Sequence, residues 1–177
     1  MLKLTFKRSL VAAFAWAAAG TVAAAQPPAD LGRRLVEGYI APATARLEAS
    51  ARGLGQTLQT WCAKPDAAGA QQVRGPFAEL VQAWSGVEFL RFGPLVQDNR
   101  FERIFFWPDP RGIVLRQVQG LLAGQAAADA RELAGRSVAV QGLPALEYVL
   151  YGDDGLLARP GGEGFASACA YAVAVTR

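Results

Sequence analysis

Residues 31–62 read LGRRLVEGYIAPATARLEASARGLGQTLQTWC. Within them Leu31, Leu35, Tyr39, Ala43, Leu47, Leu54, Leu58 and Cys62 recur at steps of four or seven. That spacing lines side chains along one stripe of an α-helix. Pro42 lies inside the stripe without the N–H that an interior turn uses, and it predicts a kink. Lys64-Pro65-Asp66 ends the helix, and Phe77, Leu80, Val81, Trp84, Val87 and Leu90 then mark a second one running to about Arg91. Two helices joined so briefly form a hairpin. No stretch of useful length alternates with the period of a strand, so the expected class is all-α, a helical bundle of about five helices.

Working outward from the hairpin, residues 91–112 have no clear period. Proline and glycine break both ends of this segment, yet Phe92, Phe101, Phe105, Phe106 and Trp107 alternate with Arg91, Arg100, Arg103 and Arg111. An insertion so rich in aromatics and arginine should fold back over the helices, its rings buried and its guanidinium groups stacked on them or paired with acids. Residues 113–122 and 126–133 read as short helices. Ser137 is placed to cap a helix over 138–151, and glycine, aspartate and proline make 152–162 a loop. The run Asp153-Asp154-Gly155 lacks the regular acidic spacing of a calcium loop and is read as a turn. A last helix begins near Glu163 and carries no stop signal before Arg177.

The first 25 residues have the order of a cleavable signal peptide. Lys3, Lys7 and Arg8 precede an apolar run shorter than the roughly 20 residues of a membrane span, and Ala23-Ala24-Ala25 follows ahead of Gln26. Export to the periplasm is expected, with residues 26–177 as the mature domain and no membrane span after cleavage. The leader's three cations account for the whole formal net charge of +3. What remains is balanced, which gives no reason to expect nucleic acid as a partner. Cys62 and Cys169 enter an oxidising compartment together, and a disulfide between them is expected.

Residues 138–151 read VAVQGLPALEYVLY and are apolar nearly all round, the pattern of a helix inside a bundle. Two residues conflict with that setting. Glu147 shares a stripe with Val140, Leu143 and Leu150, which predicts a carboxylate at a core position. Such a group must be paired, metal-bound or protonated; an arginine from the irregular segment or a ligand would satisfy it. Pro144 cannot donate to the carbonyl of Val140, so with Gly142 it predicts a bent helix and an inward-facing free carbonyl. Cofactor sites and ordinary kinks both have that form.

The run from Gln141 to Gly152 resembles the imelysin-like proteins. So do Leu90-Arg91-Phe92-Gly93-Pro94, Phe106-Trp107-Pro108-Asp109 and Cys169-Ala170-Tyr171-Ala172, all in the expected order. The resemblance implies an exported, all-helical envelope protein in a family associated with iron uptake and historically classed with metallopeptidases. It also implies a domain about twice this long, of which residues 26–177 would be the first half. The family signature is G-x-H-x-x-E, with the histidine and glutamate as proposed metal ligands. Gly142 and Glu147 match it, Pro144 replaces the histidine, and the chain contains no histidine at all.

Zinc hydrolases hold their metal with imidazole or thiolate ligands and keep one position open for water. A chain without imidazole, its two thiols expected in a disulfide, is a poor zinc site. The expected function is therefore non-catalytic: a ligand- or metal-binding component of the cell envelope linked to iron uptake, acting with iron-uptake or other envelope proteins. Glu147, Arg91, Asp109 and Arg111 are its candidate binding residues. If a metal binds, oxygen donors such as Glu147 and Asp109 suit iron or calcium. The competing readings are a metallopeptidase in the family's older sense and a purely structural module.

Overall fold

The computed structural model describes residues 26–124 and 129–177; the leader and its cleavage site lie outside the described residues. The chain is all-α, and among the described residues there is no strand. Its helices are α1 (Leu31–Leu35), α2 (Ala41–Ala63), α3 (Ala67–Ser85), α4 (Arg100–Ile104), α5 (Ile113–Ala123), α6 (Ala130–Ala134), α7 (Gly142–Tyr151) and α8 (Phe165–Val175). Five of these, α2, α3, α5, α7 and α8, have ten residues or more. No helix among the described residues is long and apolar enough to cross a membrane.

Pro42 does not break the first helix. Residues Val36–Ile40 form a π-turn that joins α1 to α2, and the N–H of Ala41 reaches back to the carbonyl of Val36. The helical path continues through Pro42, and the widened turn directly ahead of it is the local irregularity that accompanies the missing donor. At the other end Asp66 makes the hairpin: its Oδ1 accepts the N–H of Gly69 at 2.6 Å and its carbonyl accepts Trp61 Nε1 at 2.9 Å. One residue thus caps α3 and ties it to the end of α2. Helix α3 stops at Ser85, short of Arg91, where Gly86 begins a turn.

Helix α8 packs along α2, and α7 packs against α5 and α8. Between them lies a core that includes Leu54, Leu58, Val73, Trp84, Val118, Leu146, Leu150 and Tyr171, each at most 2% exposed. The apolar stripe of the first helix is buried only in part. Leu54 and Leu58 are fully covered, whereas Leu31, Leu35 and Tyr39 are 41%, 51% and 44% exposed. Tyr39 is held at the hairpin's end by a hydrogen bond from its hydroxyl to the carbonyl of Gly86, at 2.8 Å.

Cys62 and Cys169 form the expected disulfide, with Cα atoms 6.0 Å apart and 107 residues of separation. It clips the end of α2 to the middle of α8. The irregular segment folds back as expected, but only some of its rings are covered. Phe101 is 3% exposed and packs on Trp84 at 5.0 Å between centroids, while Phe92 and Trp107 are 58% and 69% exposed. Within it Gly93–Asn99 forms 3₁₀ turns ahead of α4, and the Trp107–Pro108 bond is cis.

Candidate functional site

The helix expected over 138–151 is in fact two elements. Ser137 caps only a 3₁₀ turn, Val138–Val140, by accepting the N–H of Ala139 at 3.3 Å. Gln141 is then extended, Gly142 takes φ +72°, and α7 starts afresh. This break changes the meaning of every residue of the motif.

Gly142 is required by two constraints at once. Its left-handed backbone disfavours any side chain. A Cβ placed there would also fall 2.2 Å from the carbonyl oxygen of Ile104 and 2.3 Å from that of Arg103. The end of α4 rests directly on the glycine, so the motif's first residue is a backbone contact between two elements.

Pro144, expected to bend the helix, is the third residue of α7 and breaks no bond, because first-turn N–H groups have no partner within a helix. The carbonyl of Val140, expected to be free, accepts the hydroxyl of Tyr171 at 2.7 Å. Burial pushes that phenol well above the ordinary tyrosine range, so it stays a donor.

Glu147 is exposed, contrary to the expected core position. The expectation carried Val140 on the same helix, and the break at Gln141 removes it from the count. In α7 the buried residues are Leu143, Ala145, Leu146, Val149 and Leu150. At about 100° per residue their arc is centred near Leu146 and Val149, and Glu147 falls outside it. Glu147 lies instead on the side of Tyr151. That phenol is raised by its partial burial; Arg74, whose guanidinium sits 5.4 Å over the ring, opposes the shift, and the charge of Glu147 adds to it.

The expected ion pair between Glu147 and an arginine of the irregular segment does not form. Arg91 is exposed and stacks on Phe101 at 3.5 Å, with Nε donating to the Glu88 carbonyl at 3.1 Å. Arg100 pairs with Asp98 at 3.2 Å, and Arg103 donates from Nη1 to the carbonyl of Ala134 at 3.1 Å. Asp109 accepts the N–H groups of Ile113 and Val114 at 2.8 and 2.9 Å, one on each carboxylate oxygen. The bond from Ile113 does most to lower its pKa; desolvation opposes, and Val114, Arg116 and the N–H of Arg111 add to the lowering. Arg111 is exposed, and its carbonyl accepts the guanidinium of Arg116. Arg91, Asp109 and Arg111 therefore make their contacts with neighbours on their own segment or the next, and the structure joins none of them to Glu147.

The metal pair implied by the family signature does not fit these residues. Pro144 has no donor atom, Glu147 stands on an open face, and no group of three or more histidine, cysteine, aspartate or glutamate side chains suited to a metal occurs among the described residues.

On the inner side of the same motif lies a feature that the sequence did not announce. Gln141, Gly142, Leu143 and Leu146 form one wall of an open cavity of about 420 Å³, and Leu47, Leu80, Leu133 and Val175 form others. Thr44 and Glu48 line it from α2, and Arg103 lines it from α4. The wall is mostly apolar because it is the edge of the core, at the place where Gly142 lets α4 approach α7. An arginine among bulky apolar residues in the segment 91–112 was the available signal, but which arginine turns inward depends on how that segment folds.

The family model described as Imelysin, labelled a peptidase family, matches residues 37–177. Among solved structures, an imelysin-like protein from Psychrobacter arcticum 273-4 has a TM-score of 0.73 at 29% identity, covering 81% of this chain and 43% of that one. The chain thus spans less than half the length of that relative. No curated protein matches it.

Proposed function

The chain belongs to the imelysin family, and on that premise we propose that it is an exported, non-catalytic binding component of the cell envelope that serves iron uptake. The observation that carries the reading is the chemistry of its motif. Where the family signature has a histidine this chain has Pro144, Glu147 faces solvent, and no group of three or more histidine, cysteine, aspartate or glutamate side chains suited to a metal occurs among the described residues. A zinc-bound water needs imidazole, thiolate or carboxylate ligands converging on one ion, and both thiols are in the disulfide. What the motif retains is Gly142, which packs against the end of α4, and Glu147, which faces solvent.

Export is supported by the order of residues 1–25 and by the cysteine pair, which suits an oxidising compartment. Iron uptake follows from the family association. In this reading Glu147, Arg91 and Arg111, all at the surface, are offered to a ligand or to an envelope partner, whereas the oxygens of Asp109 are engaged by two backbone N–H groups.

The test has three arms. Purified protein with zinc, and with chelator, is incubated with a peptide library; no chelator-sensitive hydrolysis is expected. The periplasmic form should begin at Gln26, read by intact mass. A deletion strain should grow more slowly than wild type when iron is limiting and equally when it is plentiful. Zinc-dependent cleavage, or retention of residues 1–25, overturns the corresponding half of the proposal, and unimpaired growth without iron removes its link to uptake.

A further inference from the structure

We infer that α1 is the contact face of a homodimer, in which a second copy of this chain lays its own α1 antiparallel across the first. None of the residues from Leu31 to Ile40 is buried, yet Leu31, Leu35 and Tyr39 recur at steps of four and make an apolar stripe along them. Val36, 51% exposed, widens the stripe beside Leu35. Phe89 is 60% exposed and its ring lies 6.0 Å from that of Tyr39, so the face continues onto the turn that follows α3. A contiguous apolar patch of this kind on a soluble domain marks an interaction site.

Symmetry, charge and area all point to a second copy as the occupant. The sequence is symmetric about Leu35: an apolar residue stands four positions before it and four after, Leu31 and Tyr39, and a glycine three before and three after, Gly32 and Gly38. Laid antiparallel about a twofold axis through Leu35, the stripe meets itself, with Leu31 beside Tyr39 of the copy and Leu35 beside Leu35, the self-complementary contact of a twofold dimer. A glycine inside a helix costs stability and is of use where another backbone comes close; here nothing outside the helix lies within 4 Å of where a Cβ would sit at Gly32 or Gly38. Asp30, Arg33, Arg34 and Glu37 pair among themselves on the same helix and sum to zero. Two copies therefore do not repel, and the face gives an anionic lipid surface no net attraction. Leu31, Leu35, Val36, Tyr39 and Phe89 leave about 500 Å² open, at roughly 200 Å² for a whole large side chain. A usual interface takes about 800 Å² from each partner, a little over half of it apolar, so the face is of the size a stable dimer needs.

This inference goes beyond the binding role proposed above and does not depend on it. Sedimentation equilibrium of the purified protein from about 1 μM to about 1 mM, the range of weak to moderate affinities, should show monomer and dimer in exchange. Leu35→Glu sets two like charges face to face on the axis and should weaken association at least about a hundredfold. Leu35 is exposed, so at a concentration where both proteins are monomers the melting curve should not move. Leu35→Lys alone should fail in the same way, whereas an equimolar mixture of Leu35→Glu and Leu35→Lys should associate again, because residue 35 meets its own counterpart. Leu115→Glu, at a position 42% exposed on α5, should leave association unchanged. A wild type that stays monomeric throughout, association undiminished by Leu35→Glu, or a mixture that associates no better than either variant alone would each overturn the inference. So would a monomeric wild type that floats with vesicles of anionic phospholipid, since the face would then be a membrane surface.

Discussion

At the scale of single residues, the motif divides into one position that the fold needs and one that it does not. Gly142 combines φ +72° with carbonyl oxygens 2.2 and 2.3 Å from where a Cβ would sit. Gly142→Ala should therefore lower stability by about 3 kcal/mol or more, from the left-handed backbone and from the clash with α4. Gly120, inside α5 with nothing near its missing Cβ, is the control; Gly120→Ala should raise stability by about 0.5–1 kcal/mol. Urea midpoints of the two variants check the contrast. Glu147→Ala should change stability by less than about 0.5 kcal/mol, as for surface positions with no special contact. A loss of about 3 kcal/mol in thermal or urea melts, the value for a broken buried ion pair, would restore the core position that the sequence suggested.

At the scale of elements, the helices are set by how their ends are satisfied. Helix α3 is capped by Asp66 and α6 by Asp129, whose Oδ1 accepts the N–H of Glu132 at 2.7 Å. The first is legible in sequence as an acid just ahead of a helical run, whereas Asp129 falls inside the helix expected over 126–133, and the structure makes it the cap of a helix that starts at Ala130. The cap of α5 is less legible, because Asp109 reaches over Pro110, Arg111 and Gly112 to the N–H groups of Ile113 and Val114. These bonds hold the Asp109 pKa below its ordinary 3.8 in the folded state. A depressed carboxylate pKa gives stability that is fully present above the unfolded value and drains away as pH falls through the folded one. The stability gap between wild type and Asp109→Ala should thus be constant above about pH 5 and narrow as pH is lowered toward about 2. Urea denaturation at a series of pH values tests this; a gap that widened on acidification would show that Asp109 is not bound as a carboxylate.

At the scale of the whole molecule, the Cys62–Cys169 bridge closes a long loop with a single bond. It spans 107 residues and joins α2 to α8, the two helices that frame the core. Restricting the unfolded chain over such a loop is worth about 4–5 kcal/mol in the entropic account. Cys62→Ser paired with Cys169→Ser should lose about that much in urea melts, and wild type in reductant should move toward the double variant. A shift of under about 1 kcal/mol would mean that the reduced chain is already constrained or that the bridge carries offsetting strain.

The hairpin, the all-α class, the disulfide partners and the family resemblance follow from residues 31–62, from the two cysteines and from a few short motifs. Each of these rests on local spacing or on chemistry that leaves few alternatives. Periodicity also fixed which face of the first helix is apolar, but whether something covers that face is not a local property, and Leu31, Leu35 and Tyr39 remain open. The placement of Glu147 was decided by tertiary structure in the same way. An apolar run reads as one helix until a glycine pressed against the carbonyls of Arg103 and Ile104 forces a left-handed turn and restarts it. That contact joins residues some 40 positions apart along the chain. It turns Glu147 outward, leaves the Val140 carbonyl to Tyr171 and opens the cavity that Arg103 lines, because the phase of a helix is set by where it starts, and here packing chooses the start.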